Sequence, residues 1–350
     1  MNARIEETIA TCLRAYPSRP DVEASALDDE LWERAESGGV AVAIAHQLGI
    51  RSARIDERRR AQMVTGMRSL AVTERVLRLC EELSIPAAPL KGALLGERLY
   101  GDISLRPTSD VDILVPELDV VRLVDRLARE GAEVPEAHVH AFYAKHHHHL
   151  NVTWLNVLVE LHFRATSSFG VFTPAEPLLA RAKNARVGTG AHAVSARVLE
   201  PNDELIYLAT HAAAHYCAHD ILLLDLKLHE RRHSPELDWR VVEERARALR
   251  LERAVGVAIV AAEQRAGLDT RAMSPAWRAE STTLLERIPP NLPPGYVEDW
   301  RVRMKAHVAH ARMCATPGIA ARAFARDMVR AAKRRIWERY PGGVPREWET

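Results

Sequence analysis

The spacing of apolar residues changes twice along this chain, and the two changes limit the folds open to it. Residues 5–84 repeat at helical spacing, and the stretch 56–83 carries Met63, Met67, Leu70, Val76 and Leu79 on that pattern. From residue 85 to about 165 the pattern becomes short alternating runs broken by turn residues, and from about 201 it returns to helix. The expected organisation is an N-terminal helical segment (1–84), an α/β core (85–200) and a C-terminal helical domain (201–350), an α+β fold overall.

Within the core, residues 85–90 predict a short strand and 92–100 a helix. A strand over 108–115 ends at Pro116, and a helix over 117–130 follows it. Two β-rich runs, 146–153 and 157–163, flank Trp154-Leu155-Asn156 as a hairpin. A less regular stretch ends near Pro201, after which helices are expected over 203–219, 221–232 and 239–266. Prolines 275, 289, 293 and 294 mark a loop, and 302–340 is again helical, with no internal repeat along the chain.

Composition narrows the function classes. At 350 residues the chain is long enough for two packed units, or for one core with a helical extension. With 48 Lys and Arg against 47 Asp and Glu, net charge gives no global reason to expect nucleic acid or an anionic membrane as partner. Cys12, Cys80, Cys217 and Cys314 lie far apart, which argues against a disulfide framework or a thiolate zinc site. Arg4, Glu6 and Glu7 interrupt the first ten residues, and the apolar runs are too short to span a bilayer, so a cytoplasmic location is the default expectation.

The chemistry-bearing residues concentrate in the core. In Ser109-Asp110-Val111-Asp112-Ile113-Leu114-Val115, alternation sends Asp110 and Asp112 to one face and Val111, Ile113 and Val115 to the other. The two carboxylates start about 7 Å apart at Cα, a separation from which both can converge on one or two divalent ions. In Val157-Leu158-Val159-Glu160-Leu161-His162, Glu160 and His162 share a face opposite Val159 and Leu161. Glu160 is therefore either a third carboxylate of the cluster or a surface acid of the strand. Upstream, Lys91-Gly92 joins a strand to a helix, which places backbone N–H groups and the positive helix end where a triphosphate can approach.

The ordered run Leu90-Lys91-Gly92, Leu95, Tyr100-Gly101-Asp102, Arg106 to Val115 and Val159-Glu160-Leu161-His162 resembles the uncharacterised nucleotidyltransferase family, often labelled nucleotidyltransferase family 5. The likeness continues through Asn202 to Leu208, His211 and Leu223-Leu224-Asp225-Leu226, about residues 60 to 265. The resemblance implies a DNA polymerase beta-like nucleotidyltransferase core, a mixed sheet with flanking helices, and a nucleoside triphosphate donor used with Mg2+ or Mn2+. On matching motifs, Asp110, Asp112 and Glu160 are the metal ligands and catalytic carboxylates, with Lys91, Gly92, Arg106 and Ser109 on the nucleotide side. The Gly-Ser pair usual in the wider superfamily is here Lys91-Gly92, so its phosphate-contacting hydroxyl is missing.

The implied reaction is transfer of a nucleoside monophosphate to an acceptor that the sequence does not name: a small molecule, a peptide or protein hydroxyl, or an RNA end. Two rivals stand beside it, a catalytically silent nucleotide-binding or toxin-antitoxin-type module on the same fold and a zinc hydrolase built on His211, His215 and His219. Those three histidines recur every four residues as one helical stripe, but the Glu of a His-Glu-x-x-His motif is absent. His146 to His149 fall on a strand, where neighbours face opposite sides, so only one or two of them are expected to reach the cleft. The tail 301–350 holds twelve Lys and Arg against four Asp and Glu, with only Trp337 and Tyr340 offering aromatic stacking near its densest cluster; a solvated basic face is favoured over a nucleic-acid surface.

Overall fold

The computed structural model describes residues 3–22, 28–135, 147–187, 193–289, 292 and 299–337. His146, Tyr340 and the end of the basic tail lie outside that set. The N-terminal region forms four helices: α1 (Ala3–Ala15), α2 (Asp29–Ser37), α3 (Ala41–Leu48) and α4 (Ala53–Glu82). Asp28 and Ser52 cap α2 and α4, their side-chain oxygens accepting from the backbone N–H of Leu31 and Ile55.

A four-stranded mixed sheet lies at the centre, in the order β1-β2-β4-β3. Its strands are β1 (Ala88–Pro89), β2 (Asp110–Leu114), β3 (His149–Trp154) and β4 (Val157–His162). β2 and β4 are parallel, while β1 pairs β2 and β3 pairs β4 in antiparallel sense. Helix α5 (Ala93–Tyr100) connects β1 to β2, and α6 (Val120–Arg129) follows β2. Two short ladders come next: β5 (Arg164–Thr166) with β6 (Thr173–Pro174), and β7 (Lys183–Val187) with β8 (Val194–Val198). Helix α7 (Ala175–Arg181) stands between them. The rest is helical: α8 (Pro201–Ala214), α9 (Asp220–His233), α10 (Trp239–Ala248), α11 (Glu252–Ala266), α12 (Pro275–Leu285), α13 (Trp300–Met313) and α14 (Pro317–Trp337). Among the described residues no helix is long and apolar enough to cross a membrane.

The sheet separates two apolar clusters, as its alternating pattern requires. Val111, Ile113, Val115, Val159 and Leu161 point to one side, where they pack with Val76 and Leu77 of α4 and Leu123 and Leu127 of α6. Leu114, on the face of Asp110 and Asp112, belongs instead to the larger cluster built from helices at both ends of the chain. That cluster holds Ile9 and Leu13 of α1 together with Leu223 of α9 and Val255 and Ile259 of α11. The four cysteines are buried free thiols.

Several boundaries differ from the sequence expectation for identifiable reasons. The helix expected over 203–219 stops at Ala214, because Tyr216 and Cys217 take left-handed backbone. The one expected over 239–266 breaks where Arg250 does the same. Pro275 does not mark a loop; it opens α12, with the Ser274 hydroxyl accepting from the N–H of Trp277. The predicted α4 stripe also shifts. Met67 is 59% exposed, and the small residues Gly66 and Ser69 face inward, letting Ile103 approach Gly66 closely. Over 85–90 only two residues pair as strand, and 164–198, read as irregular, contains four short strands.

The β3–β4 hairpin closes on Leu155-Asn156, with φ of 54° and 59°. Two successive left-handed residues form the type I′ turn that matches strand twist. Asn accepts that conformation readily, but leucine is penalised by its Cβ. Leu155 is exposed and has no packing role to offset the cost. Leu155→Asn is expected to raise unfolding free energy by about 0.5–1 kcal/mol, read as a higher urea midpoint at unchanged slope.

Candidate active site

The parallel register of β2 and β4 builds the site. Asp112 pairs directly with Glu160, Asp110 with Leu158 and Leu114 with His162, so the two acidic strands present their carboxylates to one face. Asp112, Glu160 and His162 each place one ligand atom within 4.8 Å of the others. Asp112 is fully buried. Taking several carboxylates out of water together is costly unless positive charge accompanies them.

Two side chains provide it. Lys91 Nζ lies 3.3 Å from Asp110 Oδ2 and 3.0 Å from Asp112 Oδ2. The second contact lacks hydrogen-bond alignment, so Asp112 Oδ2 is a buried oxygen without a hydrogen-bond partner among the described residues. His162 Nε2 lies 2.9 Å from Asp112 Oδ1 and 3.3 Å from Glu160 Oε2. Burial opposes the His162 imidazolium, but its contacts with Asp112 and Glu160 prevail and lift its pKa to about 9. Burial likewise opposes charge on Lys91 and Asp112. Their mutual attraction prevails, so the ammonium is held above its ordinary value and Asp112 well below the usual carboxylate range. Asp110 moves the other way: burial and the adjacent Asp112 push its carboxyl up.

Gly92 sets how closely the turn before α5 meets this strand. Its φ of 81° and ψ of −148° belong to a region essentially reserved for glycine. A Cβ there sits 3.3 Å from the backbone oxygen of Asp110. Only glycine lets the start of α5 lie against the carboxylate strand while Lys91 reaches both acids.

A cavity of about 390 Å3 opens beside the cluster, lined by Lys91, Ser109, Asp110, His211, His215 and His219 among others. The histidine stripe thus faces the cleft, although not as one helical face. His211 and His215 belong to the last turn and end of α8, and His219 precedes α9. The backbone reversal at 216–217 keeps the rings in succession, with centroids 4.7 and 5.7 Å apart. Among the described residues, none of the groups of three ligand atoms close enough to share an ion contains these histidines. Burial drives His211 well below its ordinary pKa, with Lys91 adding to the effect, and takes His215 to about 4. The other run also comes close. His148 and His149 lie within ligand distance of His162, and His149 Nε2 is 3.8 Å from Glu160.

Arg106 lines the same cavity, but its guanidinium is committed to Asp225 of α9. Nε lies 3.1 and 3.0 Å from the two carboxylate oxygens, and Nη2 lies 2.9 Å from Oδ2. Tyr100 donates its hydroxyl to the same carboxylate at 2.8 Å. This buried connection ties the β2 approach to the C-terminal helices.

A model of the uncharacterised nucleotidyltransferase family matches residues 28–267. The chain belongs to that family. Comparison with curated proteins and with solved structures gives no significant match. The family match begins at α2, earlier than the resemblance read from motifs, and Gly39, between α2 and α3, lines the cleft. It therefore covers the helices on one wall of the cavity as well as the acidic strands.

In this nucleotidyltransferase family member, the residues that sequence reading left without a role are His162, Tyr207 and Asp225. Strand alternation had already put His162 beside Glu160, and its charge was the missing inference. Tyr207 of α8 is buried, and burial followed by the nearby Asp112 charge pushes its hydroxyl well above the ordinary value. Asp225 was already among the motif residues, but its pairing with Arg106 emerges only once α9 is packed against the turn before β2.

These shifts set a pH profile for the stability of the fold. His149, taken to about 4 by burial, His211 and His215 stay neutral in the fold but titrate near 6.5 when unfolded. Below about pH 6.5 the unfolded chain binds more protons, so stability falls as pH drops, by up to about 1.4 kcal/mol per unit for each histidine. His162 acts in the opposite sense: its stabilisation is complete below 6.5 and is lost as pH rises through about 9. Urea unfolding across pH 5–9 is expected to show a maximum near neutrality. His162→Gln is expected to flatten the alkaline limb while leaving the acid limb in place.

Substitution of Gly92 by alanine is expected to cost about 1–3 kcal/mol, because it forces an L side chain into a glycine-only region against strand β2. Chemical denaturation measures this cost. An equal penalty is not expected at Gly101, whose left-handed backbone has open space around it.

Proposed function

We propose that this chain is a metal-dependent nucleotidyltransferase with a DNA polymerase beta-like core, transferring a nucleoside monophosphate from a nucleoside triphosphate to an acceptor. The observation that supports this most strongly is the side-by-side placement of Asp112 and Glu160 on parallel strands, with Asp110 on the same face. Membership of the nucleotidyltransferase family supports it independently.

The donor set suits Mg2+ or Mn2+. It is hard and oxygen-rich, and Asp112 Oδ2 is a buried oxygen lacking a hydrogen-bond partner among the described residues. Asp110, Asp112 and Glu160 are the residues to hold such ions. When bound, these ions neutralise charge on the phosphates and favour deprotonation of an acceptor hydroxyl. Lys91 is the cationic residue between Asp110 and the start of α5, placed to turn its ammonium towards triphosphate oxygens. Gly92 lets the backbone approach the same group, and Ser109 offers a hydroxyl at the cleft wall. Glu160 is also placed to accept the acceptor's proton. Arg106, held by Asp225, contributes its charge from the wall and positions the turn before β2. The neutral imidazoles of His211 and His215 offer hydrogen bonds to a polar substrate on the opposite side of the cleft.

Asp110→Asn and Asp112→Asn are each expected to lower transfer by on the order of 10³-fold or more, equivalent to several kcal/mol of transition-state stabilisation. The assay is label transfer from an α-³²P nucleoside triphosphate across a panel of small-molecule, peptide and RNA acceptors. Nucleotide binding without turnover by the wild type on every acceptor, together with unchanged binding by Asp112→Asn, supports the silent-module alternative instead.

A further inference from the structure

A second cavity of about 430 Å3, which Lys91 also lines, is bounded by Leu94, Arg98, Glu204 and His233 among others. Glu204 of α8 and His229 and His233 of α9 each place a ligand atom within 4.8 Å of the other two. His229 and His233 are one helical turn apart, with ring centroids separated by 4.7 Å. Glu204 is 2% exposed and His229 fully buried. Glu204 Oε2, His229 Nδ1 and His233 Nε2 are all buried atoms without a hydrogen-bond partner among the described residues.

The other atoms of these side chains are engaged in a way that fixes where the protons are. His229 Nε2 lies 3.0 Å from the Pro201 carbonyl, which can only accept, so Nε2 carries the hydrogen and the neutral ring turns its Nδ1 lone pair inward. His233 Nδ1 faces Glu236 Oε1 at 3.4 Å, an acceptor again, and the tautomer with its hydrogen there turns Nε2 towards the other two side chains. Glu204 Oε1 is paired with Arg98, leaving Oε2 for the cluster. In these neutral tautomers three lone-pair donors face one another. Such an arrangement is repulsive unless a cation occupies its centre.

We propose that Glu204, His229 and His233 form a zinc site separate from the acidic cluster, with its fourth position open to the second cavity. Glu204 Oε2 lies 3.3 Å from His229 Nδ1. Zinc bonds of about 2.0–2.1 Å at tetrahedral angles give a ligand-to-ligand edge of about 3.3 Å, so this pair has the required span. Two imidazoles and one carboxylate suit zinc rather than Mg2+, which prefers oxygen ligands. The Pro201 carbonyl, Glu236 and Arg98 form the outer set of partners that orients such ligands. The ion joins α8, which carries Tyr207 and His211, to α9, which carries Asp225. This inference does not depend on the nucleotidyltransferase reading.

The test is titration of the chelator-treated full-length chain with Co2+, followed by its visible ligand-field absorption, and with Zn2+ by calorimetry. The wild type is expected to bind one equivalent of Co2+ that gives the intense bands of a tetrahedral site, whatever further ion the oxygen-rich acidic cluster takes up without such bands. His233→Ala, at the partly exposed end of α9, is expected to weaken binding at least tenfold. Glu204→Gln, which keeps the side chain's shape, is expected to do the same, and circular dichroism checks the fold of both. Asp112→Asn is expected to keep the absorption. The proposal is overturned if the wild type binds neither metal at micromolar concentration, leaving only a His229–Glu204 ion pair. It is equally overturned if folded His233→Ala and Glu204→Gln match the wild type, or if Asp112→Asn abolishes the signal.

Discussion

Three carboxylates brought to one face of a sheet repel one another, and neutralising that repulsion organises much of this molecule. Lys91 and His162 supply the positive charge, and both pay heavily in desolvation to do so. The position of each is set by its backbone. Lys91 reaches Asp110 and Asp112 because Gly92 permits a turn tight against β2, and His162 because it lies one alternation beyond Glu160 on β4. A site neutralised by its own side chains balances its buried charges within the chain itself.

The parallel pairing of β2 with β4 is what makes the acids neighbours, and it is upheld from both sides of the sheet. One side is an uninterrupted apolar layer against α4 and α6. The other side is shared between the polar cluster and the helices of the C-terminal region, linked by the buried Arg106–Asp225 pair. Removing one partner of a fully buried ion pair leaves an uncompensated charge, so this link acts more as a fixed register between core and helices than as a source of net stability. Glu204 of α8 and His229 and His233 of α9 add a second buried polar contact between these helices.

Much of the site was legible before any coordinates. Period-two alternation put Asp110 and Asp112 opposite Val111, Ile113 and Val115, and put Glu160 and His162 opposite Val159 and Leu161. A motif whose pieces are individually weak identified the family through their order. Less legible were the helix ends. Tyr216, Cys217 and Arg250 adopt left-handed backbone that no glycine or proline announces, so apolar periodicity ran on through breaks that tertiary packing imposes. The stripe of His211, His215 and His219 survives as a set of adjacent rings, but it runs from the end of α8 across a turn to the start of α9 rather than along one helix.

The sequence by itself determined which side chains share a face, since alternation along a strand and recurrence along a helix are local consequences of backbone geometry. It also determined that acidic residues share the sheet with an apolar face, which requires a buried core behind them. Only the tertiary structure decided which faces meet. That Asp112 lies beside Glu160, that Arg106 answers to Asp225, and that Glu204 closes on His229 are long-range pairings, fixed by how strands order themselves and how helices pack. Their partners are distant along the chain, so no local pattern specifies them. They follow from the requirement that each buried charge find an opposite one when the whole chain folds.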